Sequence, residues 1–250
     1  MARSEPPRTG RAPSDSRGSP YGHGEDDLAQ EGSSIGSGAV LWDLDGTLAD
    51  SKEYHWRAWK RAMGAEGMTI TQAQFLASFG QRNDSILDEW LGPEASPVQV
   101  ERVGNAKEAF YRELVKNEGV TPLPGAAEWV LLLHEEGWRQ AIASSAPRLN
   151  VKVMHEALGF SGQIDTLVAA EDVTAGKPDP EVFLRAAHQL GVPPGRCVVV
   201  EDAEAGIEAA RRGGMPSVGV GGGEVGAADV VVGSLADLPP DTFLRLIGLG

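Results

Sequence analysis

An α/β fold is predicted, a doubly wound parallel sheet with an all-helical insertion behind its first strand, and three observations predict it. From residue 122 onward short apolar runs alternate with helix-period patterns, which implies parallel strands joined by right-handed crossovers. Residues 52–119 carry only the helical period, with no convincing strand among them. Three apolar runs end in acids or hydroxyls, and open, Rossmann-like sheets keep their sites at the carboxyl ends of their strands.

Taken in order, the first strand is the run Ala39-Val40-Leu41-Trp42, which delivers Asp43-Leu44-Asp45 into a turn at Gly46. The helical stretch follows, marked by Tyr54, Trp56, Trp59 and Met63, by Phe75 and Phe79, and by residues 86–91 and 98–115, with Gly92-Pro93 as punctuation. After Pro122-Leu123-Pro124-Gly125 the expected order is helix 126–136, strand 140–144, helix 149–158, strand 166–169 and helix 180–190. Strand 197–200, helix 205–212, strand 216–220 and a last strand near 230–232 complete it. The division is a tail of residues 1–38, a core of residues 39–51 and 122–250, and a helical domain of residues 52–121.

Composition narrows the function. At 250 residues and 41% hydrophobic, the chain has length for one sizeable core and a second small one. A formal net charge of −14 argues against nucleic acid as a partner, because neutralising phosphates needs a basic surface. It leaves a small phosphorylated partner open, since a bound cation and one lysine reverse the field locally. Cys197 is the only cysteine; no intramolecular disulfide is available, a reducing compartment is expected, and its apolar strand makes it a core residue. No apolar stretch approaches the ~20 residues of a membrane helix. Residues 1–38 are rich in Gly, Ser, Pro and charge and read as a disordered tail. Their arginines and serines suit a targeting segment, but Glu5, Asp15 and Glu25-Asp26-Asp27 contradict one. A cytoplasmic monomer without membrane partners is the expectation.

Asp43 and Asp45 stand two residues apart, a spacing that turns both side chains to one face of an extended strand. Such a pair suits a carboxylate nucleophile beside a carboxylate that moves protons, with a divalent cation offsetting the crowded charge. That chemistry is phosphoryl transfer. Three later segments add to it: Ala141-Ile142-Ala143-Ser144-Ser145, a strand ending in hydroxyls; Gly176-Lys177-Pro178-Asp179-Pro180, a lysine in a rigid loop before a helix; and Val198-Val199-Val200-Glu201-Asp202, a strand ending in two acids. Gly46 permits backbone conformations that other residues resist.

These four segments, in this order, resemble the four motifs of the haloacid dehalogenase superfamily, over about residues 39–238. The resemblance implies that Asp43 attacks phosphorus and carries an aspartyl-phosphate, while Asp45 protonates the leaving oxygen and later activates the incoming water or hydroxyl. It implies that Ser144, with Ser145 as a neighbouring candidate, and Lys177 hold the phosphoryl oxygens, and that Lys177 also pairs with Asp43. Mg²⁺ is the implied cofactor, held by the side chains of Asp43 and Asp202 and the backbone carbonyl of Asp45, with Glu201 counted in the metal site as a supporting acid. Amides around Leu44, Gly46 and Ser145 complete an anion cradle. The helical domain becomes a cap hinged near residues 49–51 and 121–124, whose closure expels water from the reacting groups.

Residues 53–60 resemble the corresponding helix of β-phosphoglucomutases, which puts His55 at the site. Arg82, within the break at residues 80–85, is placed to clamp a distal phosphate or sugar oxygen. Thr47 stands where those mutases carry valine, and Pro147-Arg148 replaces the Lys-Asn pair they present after the second motif. Losing that lysine weakens a site that must hold two phosphates. The expected function is a Mg²⁺-dependent phosphatase acting on a small phosphorylated metabolite, a sugar phosphate or similar monoester, with β-phosphoglucomutase as the alternative. A dehalogenase would leave Asp45 without a task, and a binding protein that had lost catalysis would not need every catalytic position.

Overall fold

The computed structural model describes residues 38–79, 81–222 and 225–249; the expectation for the tail lies outside these except at Gly38, which is buried, its carbonyl accepting the Arg139 amide at 3.2 Å, and so belongs with the sheet. Six parallel strands form one sheet in the order β3-β2-β1-β4-β5-β6: β1 (Ala39–Trp42), β2 (Arg139–Ala143), β3 (Thr166–Val168), β4 (Cys197–Glu201), β5 (Ser217–Val220) and β6 (Val230–Val232). β1 is central, with Ala39 opposite Arg139 on one side and Cys197 on the other. The chain winds outward through β2 and β3, then returns to build β4, β5 and β6 on the opposite flank. The direction reverses between β1 and β4, and a sheet of this kind opens a crevice at that point.

Strand alternation sorts the apolar residues into two layers. Val40, Trp42, Ile142, Val198 and Val200 face the side covered by α5 (Ala126–Glu135), α6 (Arg148–Leu158) and α9 (Thr242–Leu246). Ala39, Leu41, Ala141, Cys197 and Val199 face α7 (Glu181–Leu190) and α8 (Glu204–Arg212), where Phe183 and Ala186 pack. Buried Gln140 fixes β2 against β1: its Oε1 accepts the Trp42 indole N–H at 2.9 Å, and its amide donates to the Val130 carbonyl at 2.8 Å. Cys197 is fully buried, as expected of a core residue.

Between β1 and β2 lie α1 (Lys52–Ala65), α2 (Gln72–Ser78), α3 (Asn83–Leu91) and α4 (Pro97–Glu118). Their starts follow local chemistry: Thr71 and Gln74 form a capping box at α2, and Ser96 accepts from the Gln99 amide ahead of Pro97 at α4. Trp59, Met63, Phe75, Leu87, Trp90 and Val103 give this layer an apolar core of its own. Two chain crossings join it to the sheet, pinned to each other by the Ala49–Pro122 bridge and by the Leu123 amide on the Leu48 carbonyl at 2.9 Å. Elsewhere strand and helix ends fall within a residue or two of the sequence expectation. The sequence did not suggest α9, whose Phe243 packs against Trp42 and Trp129. Among the described residues no helix is long and apolar enough to cross a membrane.

Candidate active site

The crevice between β1 and β4 is built from strand ends. Asp43 comes directly after β1, and its amide donates to the Val200 carbonyl at 2.9 Å, which extends the ladder by one residue and fixes the carboxylate. The chain then turns through residues 44–49, with the Leu48 and Ala49 amides both on the Leu44 carbonyl. Gly46 sits at φ +94°, and a Cβ there would lie 2.0 Å from Asp202 Oδ2. Glycine is required twice over, by conformation and by the approach of that carboxylate.

Lys177 reaches in from the loop ahead of α7. Its Nζ donates to Asp43 Oδ1 at 2.5 Å and to Glu201 Oε1 at 2.7 Å, and its side chain is only 8% exposed. Burial works against its charge, but the two carboxylates outweigh that and hold the ammonium protonated. The other Glu201 oxygen accepts the Asp202 and Ala203 amides at 2.7 and 2.9 Å. Both Glu201 oxygens are therefore engaged. A Cβ on Gly206 would fall 1.8 Å from Glu201 Oε1, so α8 comes this close only because residue 206 is glycine.

Asp43, Glu201 and Asp202 each offer an oxygen within 4.8 Å of the others. Burial raises the carboxyl of Asp43 above its ordinary range, and Glu201 adds to this while Lys177 opposes it. Burial and the adjacent Glu201 push Asp202 up to about 7. Two hard carboxylates that resist joint ionisation, one from each of two neighbouring strand ends, are the donor set that a small divalent cation relieves. With Glu201 committed to Lys177 and two amides, Asp43 and Asp202 are the side chains that fit Mg²⁺.

Asp45 lies on the side of the helical layer. Its Oδ1 is 3.7 Å from His55 Nε2 on α1 and 3.5 Å from the Tyr111 hydroxyl on α4. Burial would raise Asp45, but His55, Ser51 and Lys107 more than offset it and hold the carboxyl below its ordinary range. Burial and the nearby Lys107 lower His55. The imidazole stacks on Tyr111 with centroids 4.3 Å apart and meets the edge of Phe79 at 6.0 Å.

Ser144 directly follows β2, buried, with its amide on the Val168 carbonyl and its Oγ accepting the Ala146 amide at 3.0 Å. Ser145 is exposed. Arg82 precedes α3 and points to solvent, its side chain 84% exposed and paired with Asp84 at 3.0 Å, so the expected clamp is not joined to the Asp43 cluster. Arg148 pairs with Asp172. Thr47 is fully buried, and its hydroxyl has no partner among the described residues. Tyr111, Lys107 and Gly206 were missed in the sequence. The first two sit on an amphipathic helix whose charges look solvated, and Gly206 would have been legible only as a glycine breaking a good helical pattern beside paired acids.

A parallel sheet with a carboxylate cluster at its switch point and a lysine bridging two of the acids defines a class of phosphoryl-handling α/β proteins. The chain belongs to the haloacid dehalogenase-like hydrolases, whose family model matches residues 38–214. It is 33% identical over 209 residues to β-phosphoglucomutase of Bacillus subtilis, covering 80% of this chain and 91% of that one. It is 29% identical over 185 residues to the fructose-1-phosphate phosphatase YqaB of Escherichia coli, covering 72% and 95%. The solved structure of CbbY from Rhodobacter sphaeroides in complex with phosphate matches it with a TM-score of 0.76 at 25% identity, over 83% of this chain and 98% of that chain.

Proposed function

We propose that this chain is a Mg²⁺-dependent phosphatase of small phosphate monoesters, sugar phosphates foremost, working through an aspartyl-phosphate on Asp43. The observation that carries this reading is the Lys177 ammonium held between Asp43 and Glu201, beside Asp202 and on the same strand end as Asp45. Asp43 attacks phosphorus and the ester P–O bond breaks; Asp45, ionised in the free chain, takes up a proton as the anionic substrate is seated beside it and gives that proton to the departing oxygen. Lys177 and the Ser144 hydroxyl hold the phosphoryl oxygens and take up their charge. Asp45 then removes a proton from water, which attacks the aspartyl-phosphate, releases inorganic phosphate and restores Asp43. Bound Mg²⁺, held by Asp43, Asp202 and the Asp45 carbonyl, would supply charge neutralisation at the phosphoryl group. The helical layer acts as a cap that brings His55 and Tyr111 to Asp45 and expels water when substrate is seated.

Hydrolysis is favoured over mutation by the residues beyond the end of β2 and by the break ahead of α3. Pro147 carries no charge, the Arg148 guanidinium is taken by Asp172, and Arg82 is turned to solvent, so these positions offer no cation to a second phosphate. The alternative, β-phosphoglucomutase, is favoured by His55 at 3.7 Å from Asp45 within a mutase-like helix. A panel of hexose, pentose and aryl phosphates, with phosphate release measured with Mg²⁺ and with chelator, tests the reading. Metal-dependent release that Asp43→Asn lowers by at least ~10³-fold is expected. Conversion of β-glucose 1-phosphate to glucose 6-phosphate, with a bisphosphate primer, running orders of magnitude faster than phosphate release would establish the mutase instead.

A further inference from the structure

Among the described residues outside the Asp43 cluster, Glu108 on α4 is the one buried acid, 7% exposed. Its Oε1 accepts the Asn83 amide of α3 at 2.6 Å and the Lys107 ammonium at 2.7 Å, and its Oε2 accepts the Asn150 amide of α6. Asn150, 1% exposed, is held from its other end too, because its Oδ1 accepts Arg112 Nη1 at 2.9 Å. Glu108 and Arg112 are one turn apart on α4, so a single amide of the core is gripped by an acceptor and a donor from one helix face. The amide can answer both only in one orientation, oxygen to Arg112 and nitrogen to Glu108.

The grip sits at a boundary between two cores. Further along α4, Tyr111 and Val115 belong to the apolar cluster that continues into the sheet, while Val103, before it, belongs to the helical layer's own core. Glu108 and Asn150 meet where α4 passes from one to the other. Phe110 packs against both clusters, and a wholly apolar seam would bind the two cores more firmly still, since every buried CH₂ adds to the cost of separation. A polar junction can be parted, because water satisfies the same groups. Burial would raise the Glu108 carboxyl, but Lys107, Asn83 and Asn150 hold it below the ordinary range, so the acceptor stays charged at neutral pH.

We propose that Glu108, Asn150 and Arg112 form the latch that fastens the helical cap to the core in its closed position. The latch sets the closed-to-open ratio and, through Tyr111 on the same helix, the seat of Asp45. This rests on reading the helical layer as a moving cap. Asn150 acts as a positioning residue and touches no reacting atom.

The test uses the full chain carrying spin labels on cysteines introduced at exposed Asn105 of α4 and exposed Lys152 of α6, with Cys197 left buried. Inter-label distances are measured without substrate, so the readout does not depend on turnover. Asn150→Asp sets a carboxylate against Glu108 and should move the open-to-closed ratio by about a hundredfold, as expected for a broken buried polar pair. Glu108→Gln combined with Asn150→Asp reverses donor and acceptor and should return the distances to those of the parent. Asn150→Ala, which leaves Glu108 its bonds to Lys107 and Asn83, should give an intermediate opening and serves if the acidic variant does not fold. With an aryl phosphate, opening should raise KM while kcat at saturation is nearly unchanged, since substrate must first select the closed form. Parent-like distances in Asn150→Ala, or a double variant as open as Asn150→Asp, would overturn the latch. Distances that respond in a protein that turns over no phosphate ester would support the latch and refute the proposed function, which separates the two.

Discussion

Replacing Asp202 by asparagine should stabilise the metal-free protein at pH 8. Folding raises the proton affinity of this carboxyl from the usual 3.8 to about 7, through burial and the neighbouring Glu201. The folded chain therefore binds a proton that the unfolded chain has released. The contribution is fully present below pH ~4 and is lost as pH rises through 7. At 1.36 kcal/mol per pH unit the interval corresponds to about 4 kcal/mol, and partial solvent access at the crevice reduces it to roughly 2 kcal/mol. For a chain of this size that is about 4–8 °C in Tm. Thermal unfolding in chelator from pH 5 to 8 should show the wild type falling behind Asp202→Asn as pH rises. Mg²⁺ should raise the wild-type Tm and leave the variant nearly unmoved, because ion binding to the folded state alone stabilises by mass action. If the variant is no more stable than the wild type at pH 8 in chelator, the carboxylate cluster is not strained and a cation at this site loses its physical basis.

Other substitutions probe the same frame. Gly206→Ala pushes a methyl to within 1.8 Å of Glu201 Oε1, so Glu201 must leave Lys177; phosphate release should fall at least ~10-fold and stability by about 1–3 kcal/mol in urea unfolding. Thr47→Val removes a buried hydroxyl with no partner among the described residues and should be neutral or stabilising by up to ~1 kcal/mol, with kcat unchanged. Because burial lowers His55 in the folded state, the unfolded chain takes up a proton first as pH drops below ~6.5; stability should decline there, and His55→Asn should flatten that slope in unfolding curves at pH 5–7.

The sheet was legible because its strands are short apolar runs that end in chemistry-bearing residues, as in 39–43 and 197–202, and because alternation with helices leaves one pairing scheme. The acids Asp43, Glu201 and Asp202 follow from those ends, while Lys177, in the loop ahead of α7, was found through the family resemblance. Adjacent acids on a strand should face opposite ways, yet both belong to the cluster, since Glu201 closes β4 while Asp202 lies beyond it where the pleat has ended. The helical layer was harder. Lys107, Glu108 and Arg112 gave no signal, since charges on a helical pattern are ordinarily solvated and only tertiary packing buries the first two; Asn150 gave none either, since an amide in the first turn of a helix is ordinarily exposed. Arg82 looked like a clamp because it sits at a break between helices, but Asp84 two residues later satisfies it locally. Thr47 carried weight only by comparison with a family pattern, and its hydroxyl is buried.

The central position of β1 bears on the order in which the protein comes into being. The first of the described strands is the one whose two partners, beginning at Arg139 and Cys197, are made long afterwards, and such distant pairings slow folding because the intervening loop must be closed first. The helical layer, with its own apolar core, consists of nearer neighbours and can organise while the rest of the chain is still emerging. Asp43 is held by the Val200 carbonyl, so its carboxylate reaches its place only when β4 docks, the same event that delivers Glu201 and Asp202. A nascent chain therefore displays no half-built carboxylate site to the metal ions around it, and the three acids come together in one step when β4 docks.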